Sequence, residues 1–192
     1  ALVLIGATAG IDDPDERRAR RAADDLLADH IEAVGIDTFI DEWLSTALFA
    51  GLTEQTALRD DRLRNTAGGL AASLRATGTG TQEPLWERLG EVTVPVLVLA
   101  GEHDTKFRAI GERMAGLLSA STFEVIAGAG HSVHLEQPEA TAAALAGARA
   151  RWRLQHGDRR RHARCRARDQ GGRPSGGHGA AVARLRQPRH VP

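Results

Sequence analysis

The sequence has almost no cysteine and no long hydrophobic run. Its 192 residues include one cysteine, Cys165, which cannot form an internal disulfide, so a reducing cytoplasm is the expected location. No apolar stretch approaches the roughly 18 residues that a membrane helix needs, which excludes membrane spanning. The only methionine is Met114, and no basic signal-peptide segment precedes an apolar stretch. Because the chain begins at Ala1, we expect a fragment of a longer protein.

Lysine is also scarce, and positive charge is concentrated at one end. Lys106 is the only lysine among 25 basic residues. The net charge is +10 from Arg151 onward, so the preceding residues carry −10. Residues 157–192 are rich in arginine and glycine without apolar periodicity, so we expect a disordered tail. We interpret it as a frameshift product or a terminal extension rather than a nucleic-acid-binding arm, and expect no nucleic-acid partner.

Continuous apolar runs indicate strands of a parallel sheet that is buried on both faces. Three segments have this character: Leu2 to Ile5, Val94 to Ala100, and Thr122 to Ile126. Between the second and third runs, a helical pattern extends from about Phe107 to Leu118. Strand, helix and strand in this order predict a right-handed parallel crossover. A last helix is expected from near Pro138 to about Trp152.

Nearly ninety residues between the first two strands are predicted to be helical. Asp13 and Pro14 form a helix start signal, and this helix should run to Gly35 with a buried stripe that includes Leu26 and Leu27. Further helices are predicted around 39–48, 54–64 and 70–74. Such an insertion resembles a lid over the C-terminal edge of the sheet, where open α/β sheets bind ligands.

An acid and a histidine follow the second and third predicted strands. Asp104 and His131 should therefore lie at the same edge of the sheet. An aspartate there can accept the Nδ1 proton of the histidine, fix its tautomer and stabilise the imidazolium. The alternative is that Asp104 only caps the next helix and His131 is an ordinary turn residue. Spacing alone leaves both interpretations open.

The order of acid and histidine resembles the last two members of the catalytic triad in α/β-hydrolases. The segments PVLVLAGEHD (95–104) and GAGHSVHLEQP (128–138) look like the two C-terminal blocks of that superfamily. No serine in the chain lies in a G-x-S-x-G motif. We therefore expect the serine, the oxyanion-hole loop and the first half of the sheet upstream of Ala1.

Motifs in the lid are similar to a narrower family, the 2-succinyl-6-hydroxy-2,4-cyclohexadiene-1-carboxylate synthases of menaquinone biosynthesis. The likeness covers about residues 1–150 and includes the segments 10–21, FIDEW (39–43), LRN (63–65), LRATGTG (74–80) and GEHDTKF (101–107). The resemblance implies a lyase that eliminates pyruvate through a Ser-His-Asp triad. It also implies that Arg20 and Arg64 hold substrate carboxylates and that Trp43 lines the pocket. Leu44 stands where the family usually has a tyrosine.

The residues alone allow simpler roles for the same side chains. Arg20 continues an apolar helical line, so its stem could cover the core while its head reaches water. Arg64 could be a cation near a helix C-terminus. His131, His134 and Glu136 lack the fixed helical spacing of a zinc motif, so we predict no metal site, and no cofactor is expected.

These observations predict a partial α/β-hydrolase fold with the last three parallel strands, flanking helices, a helical lid and a disordered basic tail. The expected divisions are a core strand (1–10), the lid and its connection (11–92), the C-terminal core (93–156) and the tail (157–192). The alternatives to the lyase are a generic esterase-like α/β-hydrolase and a non-catalytic lidded binding module. We expect a small polycarboxylate substrate, no membrane partner, and association through an exposed sheet edge.

Overall fold

The computed structural model describes the backbone of residues 1–169 and the side chains of residues 1–154. The chain divides into two compact units, Ala1–Arg153 and the residues from Leu154 onward. The elements are β1 (Leu2–Ile5), α1 (Pro14–Leu44), α2 (Arg59–Arg62), α3 (Ala67–Thr77), β2 (Val96–Gly101), α4 (Thr105–Leu117), β3 (Ser121–Ile126), α5 (Val133–Glu136) and α6 (Pro138–Asp169). Short 3₁₀ segments cover Ala47–Phe49 and Trp86–Glu91.

The three strands form a parallel sheet in the order β1-β2-β3. Leu2 pairs with Val96 at one end of the first ladder, and Gly101 pairs with Ile126 at the end of the second. Every residue of the central strand β2 is buried, as its continuous apolar run predicts. The strands and the α4 crossover confirm the predicted order of strand, helix and strand.

Alternate residues of β2 supply the cores on the two faces of the sheet. Val96 and Val98 pack with Met114 of α4. Leu97 and Leu99 face the opposite side and pack with a cluster that includes Ala148 of α6. The two-residue period of a strand thus divides one apolar run between two cores.

The long helix α1 begins and bends where the sequence predicts. The Asp13 carboxylate accepts hydrogen bonds from the backbone N–H groups of Asp15 and Glu16, at 2.7 and 3.0 Å. The helix kinks at Gly35, whose φ of 81° lies in the region that favours glycine. Gly35 therefore separates the first predicted helix from the second.

The buried face of α1 matches the predicted stripe only in part, because Ile31, a member of that stripe, is buried as predicted but the two leucines are not. Leu26 and Leu27 are 71% and 38% exposed, whereas Asp24, Ala28 and Ile31 are buried. The core of the lid joins α1 to α3 through Ala28, Ile31 and residues that include Phe39, Ile40 and Ala71. Ala28 and Ala71 are fully buried, and their small side chains allow the helices to pack closely.

The helix predicted over 54–64 is reduced to the single turn Arg59–Arg62. The hydroxyl oxygens of Thr53 and Thr56 accept hydrogen bonds from each other's backbone N–H groups, at 3.2 and 2.8 Å. Reciprocal bonds of this kind cap the start of a helical turn, and the Ala57 N–H donates to the Thr53 oxygen at 2.8 Å, so the interruption lies after this turn, at the left-handed residue before α2. That residue, Leu58, has a positive φ of 50°.

The last helix begins at Pro138, as predicted, and continues to Asp169. It therefore enters the segment 157–192, for which the sequence predicts disorder. Arginine and alanine dominate the sequence between 159 and 168, and both are good helix formers. The rest of the predicted disordered tail, 170–192, lies outside the described residues. Within the described range, no helix is long and apolar enough to cross a membrane.

Three charged side chains connect the two main helices of the lid, which generates a prediction about acid stability. Arg75 of α3 donates to Asp29 and Glu32 of α1 at 2.6 and 2.8 Å. The hydrogen bond from Arg75 lowers the pKa of Glu32. A carboxylate with a lowered pKa stabilises the folded state above its unfolded pKa, and this contribution is lost as the pH falls through the folded value.

We therefore expect Arg75→Gln to lower the thermal unfolding temperature at pH 7. The difference from the parent chain should shrink as the pH falls below about 4, near the ordinary glutamate pKa. Thermal denaturation followed by circular dichroism from pH 3 to 7 measures it. Arg88→Gln is the control, because Arg88 pairs with Glu91 on the surface outside the lid. An Arg75→Gln effect that does not change with pH would contradict this account.

The outer edge of β1 generates a second prediction. The N–H groups of Leu2 and Gly6 donate to the oxygens of Pro95 and Leu99. Because N–H directions alternate along a strand, the Val3 N–H points away from β2. No other strand pairs with β1 within the described residues. We expect the 192-residue polypeptide to self-associate through this edge.

Val3→Pro should reduce this self-association, because proline removes a donor on the free edge and leaves the bonds to β2 intact. Val3→Ala keeps the donor and is the matched control for lost volume. Sedimentation velocity over a concentration series measures the change. A monodisperse monomer for the unmodified chain would show that the edge does not drive association.

Candidate active site

Asp104 and His131 lie at the C-terminal edge of the sheet, as predicted. Asp104 follows β2 and caps α4, because its Oδ1 accepts the backbone N–H of Phe107 at 3.1 Å. His131 lies in the turn between β3 and α5. Parallel pairing of β2 with β3 puts the ends of both strands at one edge, so side chains 27 positions apart meet.

The two side chains form a short hydrogen bond. His131 Nδ1 lies 2.6 Å from Asp104 Oδ2, and the side chains are 25% and 11% exposed. A carboxylate is an acceptor, so this contact favours the tautomer with the proton on Nδ1 and a lone pair on Nε2. Asp104 thus both caps a helix and pairs with the histidine, and the two interpretations of the sequence are compatible. An imidazole in this state is equipped to accept a proton.

Two neighbours hold the imidazole ring in place. The Phe107 ring lies 4.6 Å from it, centroid to centroid. Gly6, directly after β1, has a φ of +52°, and a Cβ there would lie 3.1 Å from His131 Cε1. A side chain at position 6 would therefore strain the backbone and press on the ring. The residue after the first strand thus packs directly against the imidazole.

Glutamates brace the loop that carries the histidine. The Glu136 carboxylate accepts the backbone N–H groups of Gly130 and Ser132 at 2.6 and 2.9 Å, and Glu102 accepts that of Gly128 at 2.8 Å. This bracing role of Glu136 was not predicted from the sequence, where the residue was considered only as a metal ligand. The one sequence signal for this role was that Glu136 lies five residues after His131. The short helix α5 brings the Glu136 carboxylate back to the loop.

A cavity of about 420 Å³ opens beside the histidine pair. Asp104, His131 and Glu136 of the core line this cavity. The insertion contributes four further lining residues, which are Ala47, Leu48, Ala50 and Gly51. The insertion therefore covers the edge that carries the acid and the histidine, as expected of a lid.

Arg20 lies beside two further cavities, of about 360 and 340 Å³. Lys106 and Arg113 line the first of these with it. Arg113 stacks over the Trp86 ring at 3.7 Å and pairs with Asp12 at 2.6 Å. Phe107 lines the same cavity, so this space adjoins the ring packed on the histidine. Neither Arg113 nor Lys106 was predicted from the sequence to line a cavity.

Trp43 lies in the other cavity with Arg20. Its ring packs on Phe39 and Phe49, with centroids 5.9 and 4.9 Å away. The Arg62 guanidinium lies 5.4 Å from the Trp43 ring, a cation–π contact for which no local pattern in the sequence is a signal. Leu48 lines both this cavity and the cavity at His131. The cavity lined by Arg20 and Trp43 therefore shares one wall residue, Leu48, with the histidine cavity.

Arg64 is placed differently from the other predicted site residues. Its side chain is 82% exposed and lies 3.6 Å from Asp61. It is not in the lining of these three cavities. The single turn of α2 ends at Arg62, and the chain then turns, with the Arg64 N–H donating to the Asp61 oxygen. The structure thus brings together Asp104 and His131, and separately Arg20 and Trp43, but leaves Arg64 on the surface.

The described residues contain no group of three or more histidine, cysteine, aspartate or glutamate side chains arranged to hold a metal ion. The side chains described above form an acid and base pair, with Glu136 bracing the loop of the base and with cations beside the neighbouring cavities. This arrangement suits proton transfer next to an anionic ligand.

Comparison with known proteins agrees with this geometry. Residues 1–144 match the model of the Alpha/beta hydrolase family. A protein of Bacillus subtilis (strain 168), provisionally named 2-succinyl-6-hydroxy-2,4-cyclohexadiene-1-carboxylate synthase, is 43% identical over 143 residues, which are 72% of this chain and 52% of that protein. The synthase of the same name from Salmonella arizonae is 35% identical over 147 residues, which cover 76% and 56% of the two chains.

A solved structure gives the same result in three dimensions. MenH from S. aureus superposes with a TM-score of 0.74 at 33% identity, over 76% of this chain and 57% of that one. The chain thus spans about half the length of the relatives it matches.

The hydrogen bond between Asp104 and His131 generates a prediction about the imidazole. Asp104→Asn should keep the cap on α4, because an amide oxygen can still accept the Phe107 N–H. It should shift the imidazole away from the Nδ1–H tautomer, because the amide can present its NH₂ group to the ring. The ¹⁵N chemical shifts of the ring nitrogens measure the tautomer. Glu102→Gln, which alters a neighbouring loop contact, should leave those shifts unchanged.

Proposed function

Because the chain belongs to the Alpha/beta hydrolase family, we propose that the whole protein is a 2-succinyl-6-hydroxy-2,4-cyclohexadiene-1-carboxylate synthase. This is a carbon–oxygen lyase of menaquinone biosynthesis that releases pyruvate. One observation carries the proposal: the 2.6 Å pair of Asp104 and His131 opens into a cavity walled by the lid. The relatives named above and the solved MenH structure support the choice of this reaction within a large family.

The proposed chemistry begins with the lone pair on His131 Nε2. A serine hydroxyl gives its proton to this nitrogen, and Asp104 stabilises the imidazolium that forms. The serine oxygen then removes a proton from a substrate carbon. The electron pair of that C–H bond forms a new double bond, and the C–O bond breaks with its electron pair on the departing oxygen. The leaving group is the enolate of pyruvate, and it becomes pyruvate when its carbon takes up the proton that the imidazolium gives back. The described residues hold the acid and the base, and the proposal takes the serine from elsewhere in the whole protein.

The cations of the lid support a small polycarboxylate as the substrate. Arg20 contributes to two cavities, and Lys106 lines one of them with it. A guanidinium group offers a planar fork of donors that matches a carboxylate. Trp43 gives the second cavity an apolar wall. Three acids share the lining of the first cavity, which are Asp12, Asp13 and Glu16. In contrast, Arg20 is the one charged residue among the described residues that line the second. Arg20 and Trp43 therefore fit a hydrocarbon ring that carries a carboxylate, and the further negative charges of the proposed substrate follow from the family resemblance.

Arg64 and Leu44 also bear on the proposed substrate contacts. Arg64 is kept as a carboxylate ligand on the family resemblance alone, because it is exposed and outside the three cavities. Leu44 cannot donate the hydrogen bond of the tyrosine that the family usually has there, so we propose that one polar substrate contact is absent. The cytoplasm remains the proposed location, since the sequence has a single cysteine.

The proposal predicts pyruvate release by the whole protein, expressed from the genomic reading frame that contains residues 1–153. The substrate is the pyruvate-bearing precursor of 2-succinyl-6-hydroxy-2,4-cyclohexadiene-1-carboxylate, and coupled lactate dehydrogenase measures the pyruvate. His131→Asn should lower kcat by about 10³-fold or more, because it removes the base. Arg20→Met should mainly raise KM, whereas Arg21→Met, at the neighbouring exposed position, is the matched control.

Other outcomes of this assay identify the alternatives. Hydrolysis of simple esters without pyruvate release would make the protein a generic α/β-hydrolase. A reading frame without a G-x-S-x-G motif, together with binding but no turnover, would make it a lidded binding module. Either result would overturn the proposed lyase.

A further inference from the structure

Asp24 is a buried carboxylate one helical turn after Arg20 on α1. Its side chain is 7% exposed, and its Oδ1 accepts the Arg20 Nε–H at 2.8 Å. The other oxygen, Oδ2, is buried and has no hydrogen-bond partner among the described residues. Native structures leave few buried polar atoms unpaired, and each one requires an explanation.

Two glycines in the turn after α3 press against this part of α1. A Cβ at Gly78 would lie 2.5 Å from Asp24 Oδ2, and a Cβ at Gly80 would collide with the backbone N of Arg21. Gly78 has a φ of −57°, which any residue can adopt, so close approach explains a glycine there: a Cβ would meet Asp24 Oδ2 and also the Leu74 carbonyl oxygen, at 2.6 Å. Gly78 therefore limits the space beside Asp24 Oδ2, the oxygen that does not bond to Arg20, and Gly80 brings the turn against the backbone of Arg21.

Folding alone does not explain a charge at this position. A buried ion pair can often be replaced by well-packed apolar residues with little loss of stability, because desolvation offsets much of the attraction. The pair does orient the Arg20 guanidinium. The bond to Asp24 uses Nε of Arg20. The same guanidinium borders both lid cavities, and its two terminal nitrogens remain for a ligand.

We propose that Asp24 is a positioning residue that holds the Arg20 guanidinium towards the two cavities that Arg20 lines, and that Gly78 leaves the space that the Asp24 carboxylate occupies. The inference that this orientation serves a substrate carboxylate rests on the proposed function. The orientation itself does not, because it is a property of the protein without ligand.

The test compares Asp24→Asn with Asp25→Asn in the whole protein. Asp25 is the next acid on the same helix and is exposed, so it matches the lost charge without the contact. The first measurement is hydrogen exchange at the Arg20 Nε–H by ¹⁵N NMR without ligand. Asp24→Asn should accelerate exchange, and Asp25→Asn should not. Thermal unfolding of each variant separates this effect from a loss of folding.

The second measurement is the affinity for succinate, a simple dicarboxylate, by calorimetry. Loss of a charged hydrogen bond that orients the cation should weaken succinate binding by about tenfold in Asp24→Asn. Gly78→Ala should weaken succinate binding in the same direction, because the added methyl group presses on the Asp24 carboxylate, as well as on the Leu74 carbonyl oxygen, and leaves the charge unchanged. This second variant keeps the test decisive if Asp24→Asn folds poorly.

The outcomes distinguish the two proposals. Unchanged Nε–H exchange and unchanged succinate affinity in a folded Asp24→Asn variant would overturn the positioning role. Faster exchange in Asp24→Asn, combined with succinate affinity that Arg20→Met does not alter, would support the positioning role and overturn the proposed carboxylate contact of Arg20.

Discussion

Parallel pairing of β2 with β3 is the constraint on which the site depends. The ladder ends with Gly101 opposite Ile126, so the turns that follow begin side by side. A Cβ at Gly101 would collide with the Gly130 carbonyl, so the two turns approach as closely as backbones allow. The 2.6 Å contact between Asp104 and His131 follows from this closeness. A shift of register between the strands would separate the two side chains.

The lid depends on the helix kink in a similar way. Gly35 turns the chain so that Phe39 and Ile40 pack back on the same core as Ile31. The second half of α1 then delivers Trp43 to the Arg20 cavity, and the 3₁₀ segment that follows places Leu48 between that cavity and the histidine cavity. One glycine thus connects the fold of the lid to the wall of the site.

Much of the fold was predictable because its signals are local. Apolar runs marked the three strands, and Asp13 and Gly35 marked the start and kink of α1. Asp104 and His131 were predictable because parallel topology places strand ends together. Long-range packing gave no such signal: Asp24 is buried by α3 and Gly78, whereas the leucines expected on that face are exposed. The left-handed backbone at Leu58 likewise interrupts the helix that the pattern predicts over 54–64.

The contrast between Arg20 and Arg64 shows how much side-chain identity leaves undecided. Both are lid arginines close to a carboxylate, with Asp24 at 2.8 Å and Asp61 at 3.6 Å. The partner of Arg20 is buried, so low local polarity strengthens the interaction and fixes a direction. The partner of Arg64 is exposed, where water screens the pair and neither side chain is held. An arginine is oriented for binding when a buried carboxylate holds one of its nitrogens and the others stay available to a ligand. In the described part of the lid, Asp24 holds Arg20 in this way.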